Sequence, residues 1–418
     1  MNCLDQLMMI MNNILTKRNH LLVIFCFKTK KIFAILLKKK VKYSKIKTRK
    51  TKGRRQIMKF VHIADMHFDC PFVNLSQKDI LGDLRRLEQR KVFKKIIEYI
   101  KENNINYFFI SGDLYEQKYV KQSTIEFINH LFKEIPDTMI FITPGNHDPY
   151  LKNSYYNQFR WNSNVHIFDS NIEKIETSEA NIYGLGFNDF YMKDSGIEKI
   201  EIDDKGKINI LITHGTLDGA NIEDKPYHPI SKKVLEEKGF DYIALGHIHK
   251  LDYKTEKNQK IVYPGSTISL GFDELGEHGM IVGDLEKENL DLNFIPLDDK
   301  IFIKKEIDLT SIGSKEELIE NINELDIQEN EYVEIIIKGN RNFEINAYDL
   351  LKYIENDKII KIKDETKIGY DLEKIANETT LRGLFIKEML ERLRQEDVIE
   401  EEKEKIEKAI EIGLEALE

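Results

Sequence analysis

Only three cysteines occur in the 418 residues, Cys3, Cys26 and Cys70, and none falls in a CxxC pair or a framework spacing. That excludes a disulfide scaffold and suits a reducing, cytoplasmic setting. Cys70 follows a candidate metal motif, but a small buried or loop cysteine is the better reading. No apolar run reaches the roughly 20 residues that span a bilayer. Residues 21–27 break at Lys28-Thr29-Lys30-Lys31, and residues 32–37 run into three lysines. The same segment lacks the small-residue exit of a signal peptide, so no membrane is expected. Internal repeats and low-complexity linkers are missing as well. Positive charge is scarce where a nucleic-acid binder would need it. Residues 1–57 hold 16 Lys and Arg against one Asp, whereas residues 58–418 hold 47 against 71 Asp and Glu, a balance of −24. Such a chain has no overall basic footprint. If its substrate is a polyanion, local basic residues, bound metals or a partner must supply the attraction.

The basic segment 1–57 reads in two ways. A disordered basic tail is one. The other is translated upstream sequence, because Gly53-Arg54-Arg55-Gln56-Ile57 is what a purine-rich, ribosome-binding-site-like run before an ATG at Met58 would encode. A strand begins directly after Met58, as a native start would have it. Intact-mass measurement of the natively expressed protein separates the two.

At roughly 150 residues per domain, the length allows two or three domains, and 41% hydrophobic residues suffice for a sizeable core. From Met58 the pattern first alternates: a strand at 60–64, a helix at 84–103 with Leu87, Val92, Phe93, Ile96, Ile97 and Ile100 at helical spacing, a strand at 107–111, a helix near 123–133 and a strand at 139–143. After Trp161 it becomes strand-rich, at 165–168, 181–187, 208–213, 242–245, 260–263 and 280–284. Alternation followed by strand pairing predicts a layered α/β sandwich of two sheets flanked by helices. Beyond residue 296 a smaller α+β unit follows: a strand at 301–309, a helix at 314–325 with a Ser314/Glu317 capping pattern, a strand at 332–338, a helix at 347–354 and a strand at 359–363. Two amphipathic helices close the chain. Leu381, Leu384, Phe385, Met389 and Leu393 face one way in the first; Ile406, Ala409, Ile410, Leu414 and Leu417 do so in the second. Packing on their own domain is the first reading of these stripes, docking of a partner the second.

Five short motifs carry the chemistry: Asp65-x-His67, Gly112-Asp113, Gly145-Asn146-His147-Asp148, Thr213-His214-Gly215 and Gly246-His247-x-His249. Each stands where an apolar run stops, as loops at the carboxyl ends of buried strands do. Asp, Asn and His are the oxygen and imidazole donors that Mn, Fe and Zn accept. Asp113 is the natural bridge between two cations, because Gly112 permits a tight turn. Asp65, His67 and one late His could complete one metal, and Asn146 with two further donors the other. A cation pair about 3.5–4 Å apart yields hydroxide at neutral pH and clamps a phosphate oxygen during in-line displacement. His147 is spare, with Asp148 beside it to orient its ring, which suits protonation of the leaving oxygen. His62, inside a strand, reads as a core histidine; His130, His166, His228 and His278 have no motif partner and read as structural or surface residues.

The motifs DMH, GDL, GNHD, THG and GHIH, in that order, resemble the calcineurin-like metallophosphoesterase superfamily. FVHIADMHFDCPF, YFFISGDLY, TPGNHDPY, ALGHIH and the YPGS and ELGEHG stretches look like DNA repair exonuclease subunits of the SbcD type, particularly the YhaO-like bacterial branch. The resemblance covers nearly all of the chain from Met58, including the TLRGLFIKEML stretch. It implies a four-layer β-sandwich flanked by helices over 58–296, a small capping domain over 297–365, and a C-terminal helical segment over 366–418 that docks an SbcC-like coiled-coil ATPase. One metal would take Asp65, His67, Asp113 and His249, and the other Asp113, Asn146, His214 and His247, with His147 as the catalytic histidine. The implied activity is manganese-dependent cleavage of DNA, with Fe or Zn as alternatives and a homodimer left open. Two departures stand out. Glu116 occupies a position where relatives often carry His, and Thr267-Ile268-Ser269-Leu270 replaces a Pro-Gln-Gly-Arg type of sequence. GDLYEQ and GNHD argue against the protein phosphatase branch, which carries GDxVDRG and GNHE. The rival readings are a phosphoesterase for nucleotides or other small substrates, and a non-catalytic scaffold for the ATPase.

Overall fold

The computed structural model describes residues 57–72, 75, 81–193, 196–218, 228–252, 259–341, 343, 345–369, 372–395 and 400–417. The readings made for residues 1–56, including Cys3 and Cys26, lie outside these residues.

Two sheets face one another. The first contains β1 (Met58–Ile63), β2 (Tyr107–Ser111), β3 (Met139–Thr143) and β4 (Val165–Ile167), all parallel. The second contains β5 (Glu173–Glu176), β6 (Ala180–Leu185), β7 (Ile208–His214), β8 (Tyr242–Gly246) and β9 (Ile261–Val262), parallel except at the β5 edge. A hairpin of β10 (Gly279–Glu286) and β11 (Asn289–Pro296) returns the chain to the first sheet, where β10 runs antiparallel to β1.

The alternation of each strand sorts its side chains between layers. Val61 and Ile63 of β1 point toward α1 (Leu81–Asn103) and α2 (Gln122–Lys133), whose Val92, Phe93, Ile96, Ile125, Ile128 and Phe132 fill that layer. Phe60 points the other way. It joins Phe109, Phe141 and Phe168 between the sheets, with successive ring centroids 5.4, 6.3 and 6.0 Å apart. Each fully buried Phe contributes about 1.5–3 kcal/mol, which makes this aromatic row the seam of the sandwich. Tyr183, Leu211 and Ile243 face outward from the second sheet, toward Leu235 of α3 (Lys232–Lys238) and Phe240. Helix, sheet, sheet, helix is the four-layer arrangement expected. One expected core position differs: Leu87 of α1 is 56% exposed, while Arg85 and Gln89 are buried.

A third sheet follows, β12 (Ile301–Asp308), β13 (Glu331–Lys338) and β14 (Ile359–Asp364), all parallel. Helices α4 (Lys315–Asn323) and α5 (Ala347–Leu351) make the crossovers. Ser314 caps α4 by accepting from the Glu317 amide at 3.2 Å, as the sequence pattern predicts. The chain ends in α6 (Leu372–Ala376), α7 (Leu381–Leu393) and α8 (Glu400–Leu417). Phe385, Ile386, Met389, Leu390 and Leu393 pack with Ile406, Ile410 and Leu414. Leu381 and Leu384 do not share that buried face; they are 70% and 67% exposed, because α6 packs against the Gly383–Ile386 side instead. Among the described residues no helix is long and apolar enough to cross a membrane.

Candidate metal centre

All five motifs lie at the carboxyl ends of strands: Asp65 beyond β1, Asp113 beyond β2, Asn146 beyond β3, His214 at the end of β7 and His247 just past β8. The two sheets approach closely there. The Ser111 side chain donates to the Ala244 carbonyl at 3.1 Å, and its own carbonyl accepts from His214 Nδ1 at 2.9 Å. A Cβ on Gly246 would lie 1.8 Å from the Ser111 carbonyl oxygen, so only glycine fits at this crossing. The first two loops run side by side, with Asp65 N–H donating to Gly112 O at 3.1 Å and His67 N–H to Asp113 O at 2.9 Å. Gln89 of α1 braces them by donating to the carbonyls of Met66 and His67, each at 2.9 Å. Asp65, His67 and Asp113 adopt left-handed backbone conformations, φ 51°, 48° and 51°, and His247 sits at 102°.

The seven expected donors come together in two groups. In the first, Nε2 of His67 and Nε2 of His249 face each other at 3.1 Å, with an Asp65 oxygen 3.7 Å from His249 Nε2. In the second, Asn146 Oδ1 lies 3.0 Å from His214 Nε2 and 3.1 Å from His247 Nδ1. One oxygen of Asp113 stands between the groups, 3.7 Å from His67 Nε2 and 3.3 Å from His214 Nε2. Its other oxygen accepts the His147 amide at 2.8 Å.

The imidazole protons identify what the groups could hold. His67 Nδ1 meets Glu116 Oε1 at 2.8 Å and His249 Nδ1 meets Glu274 Oε1 at 2.5 Å. A carboxylate only accepts, so both Nδ1 atoms carry hydrogen and the Nε2 lone pairs turn inward. Two inward lone pairs 3.1 Å apart need a proton or a cation between them. The electrostatics of the buried groups point the same way. Burial pushes the His249 imidazole down, but Glu274, Asp65 and Asp113 outweigh it and raise it to about 10. His214 rises to about 9 against its burial, through Asp113 and Asp65, while burial and the charge of His214 push His247 down to about 3. Burial raises the Asp65 carboxyl; at Asp113 the neighbouring imidazoles overcome burial and hold it well below the usual range. Buried groups driven apart in this way relax when divalent cations replace the protons. The donor set fits two first-row divalent cations sharing Asp113.

His147 and Asp148 take different places. His147 is half-exposed; its Nδ1 meets Glu116 Oε2 at 3.1 Å and its ring centroid lies 4.8 Å from that of His67. Burial lowers its pKa, but the Glu116 hydrogen bond and the Asp113 charge raise it to about 9. Asp148 does not orient this ring, which corrects the expectation. It is fully buried and accepts from the amides of Gly145 (2.6 Å), Asp113 (3.1 Å) and Leu114 (2.6 Å) and from the Tyr156 hydroxyl (2.6 Å). Asp148 ties two motif loops together, and Glu116 holds the ring. Among the other described histidines, His62 lies between Tyr242 OH (2.8 Å) and Ser111 Oγ (3.0 Å), His278 between Ser266 and the Glu274 carbonyl, His166 beside Glu173, and His130 near Glu134. His228 is buried and bonds to the His214 carbonyl. Sequence reasoning missed Glu274 and Gln89, and left the role of Glu116 in doubt; the ELGEHG stretch was the only signal for Glu274.

Residues 58–251 match the calcineurin-like phosphoesterase family. The chain is 26% identical over 261 residues to a Bacillus subtilis protein named uncharacterized metallophosphoesterase YhaO, a match covering 60% of this chain and 63% of that protein. It is 29% identical over 276 residues to the SbcD component of the SbcCD nuclease of Staphylococcus epidermidis, covering 57% of this chain and 70% of that one. The chain thus spans less than two thirds of the length of the first of these relatives. Among solved structures, purple acid phosphatase PPD1 from yellow lupin seeds is 14% identical, covering 60% of this chain and 53% of that one, with a TM-score of 0.39.

Proposed function

We propose that this chain, whose residues 58–251 match the calcineurin-like phosphoesterase family, cleaves phosphodiester bonds in DNA as a repair exonuclease or endonuclease subunit. The observation that carries the reading is the pairing of the two donor groups with a half-exposed, Glu116-held His147 at their rim. Manganese is the proposed metal. When bound, the cations would supply charge stabilisation for the phosphate and a nucleophile at neutral pH. Asp65, His67, Asp113 and His249 would hold one of them, and Asp113, Asn146, His214 and His247 the other. Asp113 would serve both, since one of its oxygens accepts the His147 amide and the other lies between the two groups. His147 donates a proton to the leaving oxygen. Glu116 fixes its Nδ1 side, so the Nε2 edge is the one that turns toward substrate. With divalent cations bound, the raised pKa of His147 would fall back toward neutrality, where a general acid works best.

The DNA reading draws on the relative named as part of a nuclease and on the small sheet and terminal helices, which a small-substrate enzyme does not need. An SbcC-like coiled-coil ATPase is the proposed partner, in the cytoplasm, and would supply the grip on DNA that a net charge of −24 over residues 58–418 withholds. That same acidity favours a second reading, hydrolysis of nucleotides or other small phosphoesters. Turnover of end-labelled DNA and of a small phosphodiester, each with Mn(II), decides between them. Cleavage of DNA supports the nuclease; turnover of the small substrate alone overturns it.

A further inference from the structure

One continuous run of contacts leads from the first donor group to the base of the small parallel sheet. Glu274 begins it. Its Oε1 accepts from His249 Nδ1 at 2.5 Å, and its Oε2 accepts from the Ser266 hydroxyl at 2.7 Å and the Leu270 amide at 2.9 Å. With Oε2 fixed by two donors, Oε1 has one place to stand, and the His249 ring turns with it. Ser269, next to Leu270, donates its amide to Asp298 Oδ2 at 3.0 Å and offers its carbonyl to Arg85 at 2.7 Å. Asp298 lies in the connection from β11 to β12, and both its oxygens take hydrogen bonds from Arg85, at 2.8 and 3.2 Å. The Arg85 guanidinium carbon sits 5.3 Å over the ring of Phe302, in β12, and Phe272 of the same loop meets that ring edge to face at 5.1 Å. Arg85 is wholly buried. The guanidinium also donates to Glu88 at 2.7 Å, and losing its Asp298 partner would leave a buried charge less well compensated, which favours keeping the loop, the connection and β12 in place together.

We propose that residues 266–274 act as a positioning strut: Glu274 sets His249 for the first metal position, and the Arg85–Asp298 pair at the foot of the small sheet sets Glu274. The inference rests on the two-metal reading and makes Glu274 and Asp298 positioning residues. Second-layer carboxylates of this kind orient the imidazole and raise its basicity. The second donor group is anchored otherwise, by His214 Nδ1 on the Ser111 carbonyl, and among the described residues no hydrogen bond runs from 266–274 to the side chains of Asn146, His214 or His247. A disturbance at the foot of the small sheet therefore acts on one metal position and spares the other.

Mn(II) titration of the metal-stripped full chain, followed by calorimetry and by the free-Mn electron paramagnetic resonance signal, tests this. The parent is expected to bind two ions. Glu274→Gln is expected to weaken one of them by about 10- to 100-fold and leave the other unchanged. Asp298→Asn, which touches none of the seven metal-binding side chains, is expected to weaken the same ion by roughly 2- to 30-fold. Glu173→Gln, at a half-exposed carboxylate paired with His166 at 2.9 Å, is the control and should change neither. Circular dichroism of the metal-free variants establishes that they are folded. Parental affinity for both ions in Glu274→Gln, or equal weakening of both, overturns the inference, as does an unaltered Asp298→Asn. A parent that binds fewer than two ions overturns the two-metal reading, and this inference with it; loss of DNA cleavage with binding intact would instead count against the nuclease.

Discussion

His147 differs from the other imidazoles at the centre in being half-exposed and in having its Nδ1 side taken by a carboxylate that also serves His67. Removing it should therefore spare metal binding and harm chemistry. His147→Ala is expected to lower phosphodiester turnover by roughly 10²–10⁴-fold while the protein still binds two Mn(II) ions, measured by steady-state rates beside metal analysis. His62 makes the opposite case, a buried histidine with no part in the reaction. Burial lowers its pKa from 6.5 to about 3, so the folded protein keeps it neutral. Below pH 6.5 the unfolded chain takes up a proton that the folded one refuses, and stability falls toward pH 3 by up to about 1.4 kcal/mol per pH unit. Urea unfolding of metal-stripped protein at pH 7 and pH 5 should show the parent losing about 2 kcal/mol more than His62→Gln over that interval.

The donors are furnished by strand ends, and it is the closeness of two sheets that makes a site of them. Gly246 sits at the tightest point, against Ser111 O and the His214 ring. Gly246→Ala must push β8 from β2; an expected loss of about 1–3 kcal/mol in chemical denaturation, with weakened Mn(II) binding, follows from overpacking at backbone contact. This is also the scale at which legibility in the sequence changes. Asp65, His67, Asp113, Asn146, His214, His247 and His249 were readable because each combines a ligating residue type with the end of an apolar run. Glu274 was not, since its link to His249 exists only after the chain returns 25 residues later through a loop without periodicity. Asp148 was misread because proximity in sequence to His147 suggested a contact that the buried amides of Gly145 and Leu114 claim instead. The edge strands β5 and β11 escaped for a related reason: partly exposed strands such as Glu173–Glu176 carry little apolar alternation. Leu381 and Leu384 were placed on a packed face because helical spacing cannot reveal that α6 covers the neighbouring one.

For the molecule as a whole, buried acids and imidazoles crowd one end of a sandwich whose described surface is rich in carboxylates. Cations that bind the folded chain but not the unfolded one stabilise it by about 2.7 kcal/mol per site at a hundredfold excess over Kd. Thermal unfolding with Mn(II) should occur roughly 5–10 °C higher than in chelator, and adding excess chelator should reverse the shift. An unchanged midpoint would count against cations filling the two donor groups.

The left-handed backbone at Asp65, His67, Asp113 and His247 has a consequence for selection. Glycine adopts that conformation without the steric cost a side chain carries, so backbone strain taken by itself favours glycine at all four positions. A library of variants selected for thermal resistance in chelator should accumulate Gly at these positions. The same library selected for turnover with Mn(II) should purge it. Where the two selections pull hardest in opposite directions, the chain is trading its own comfort for its chemistry.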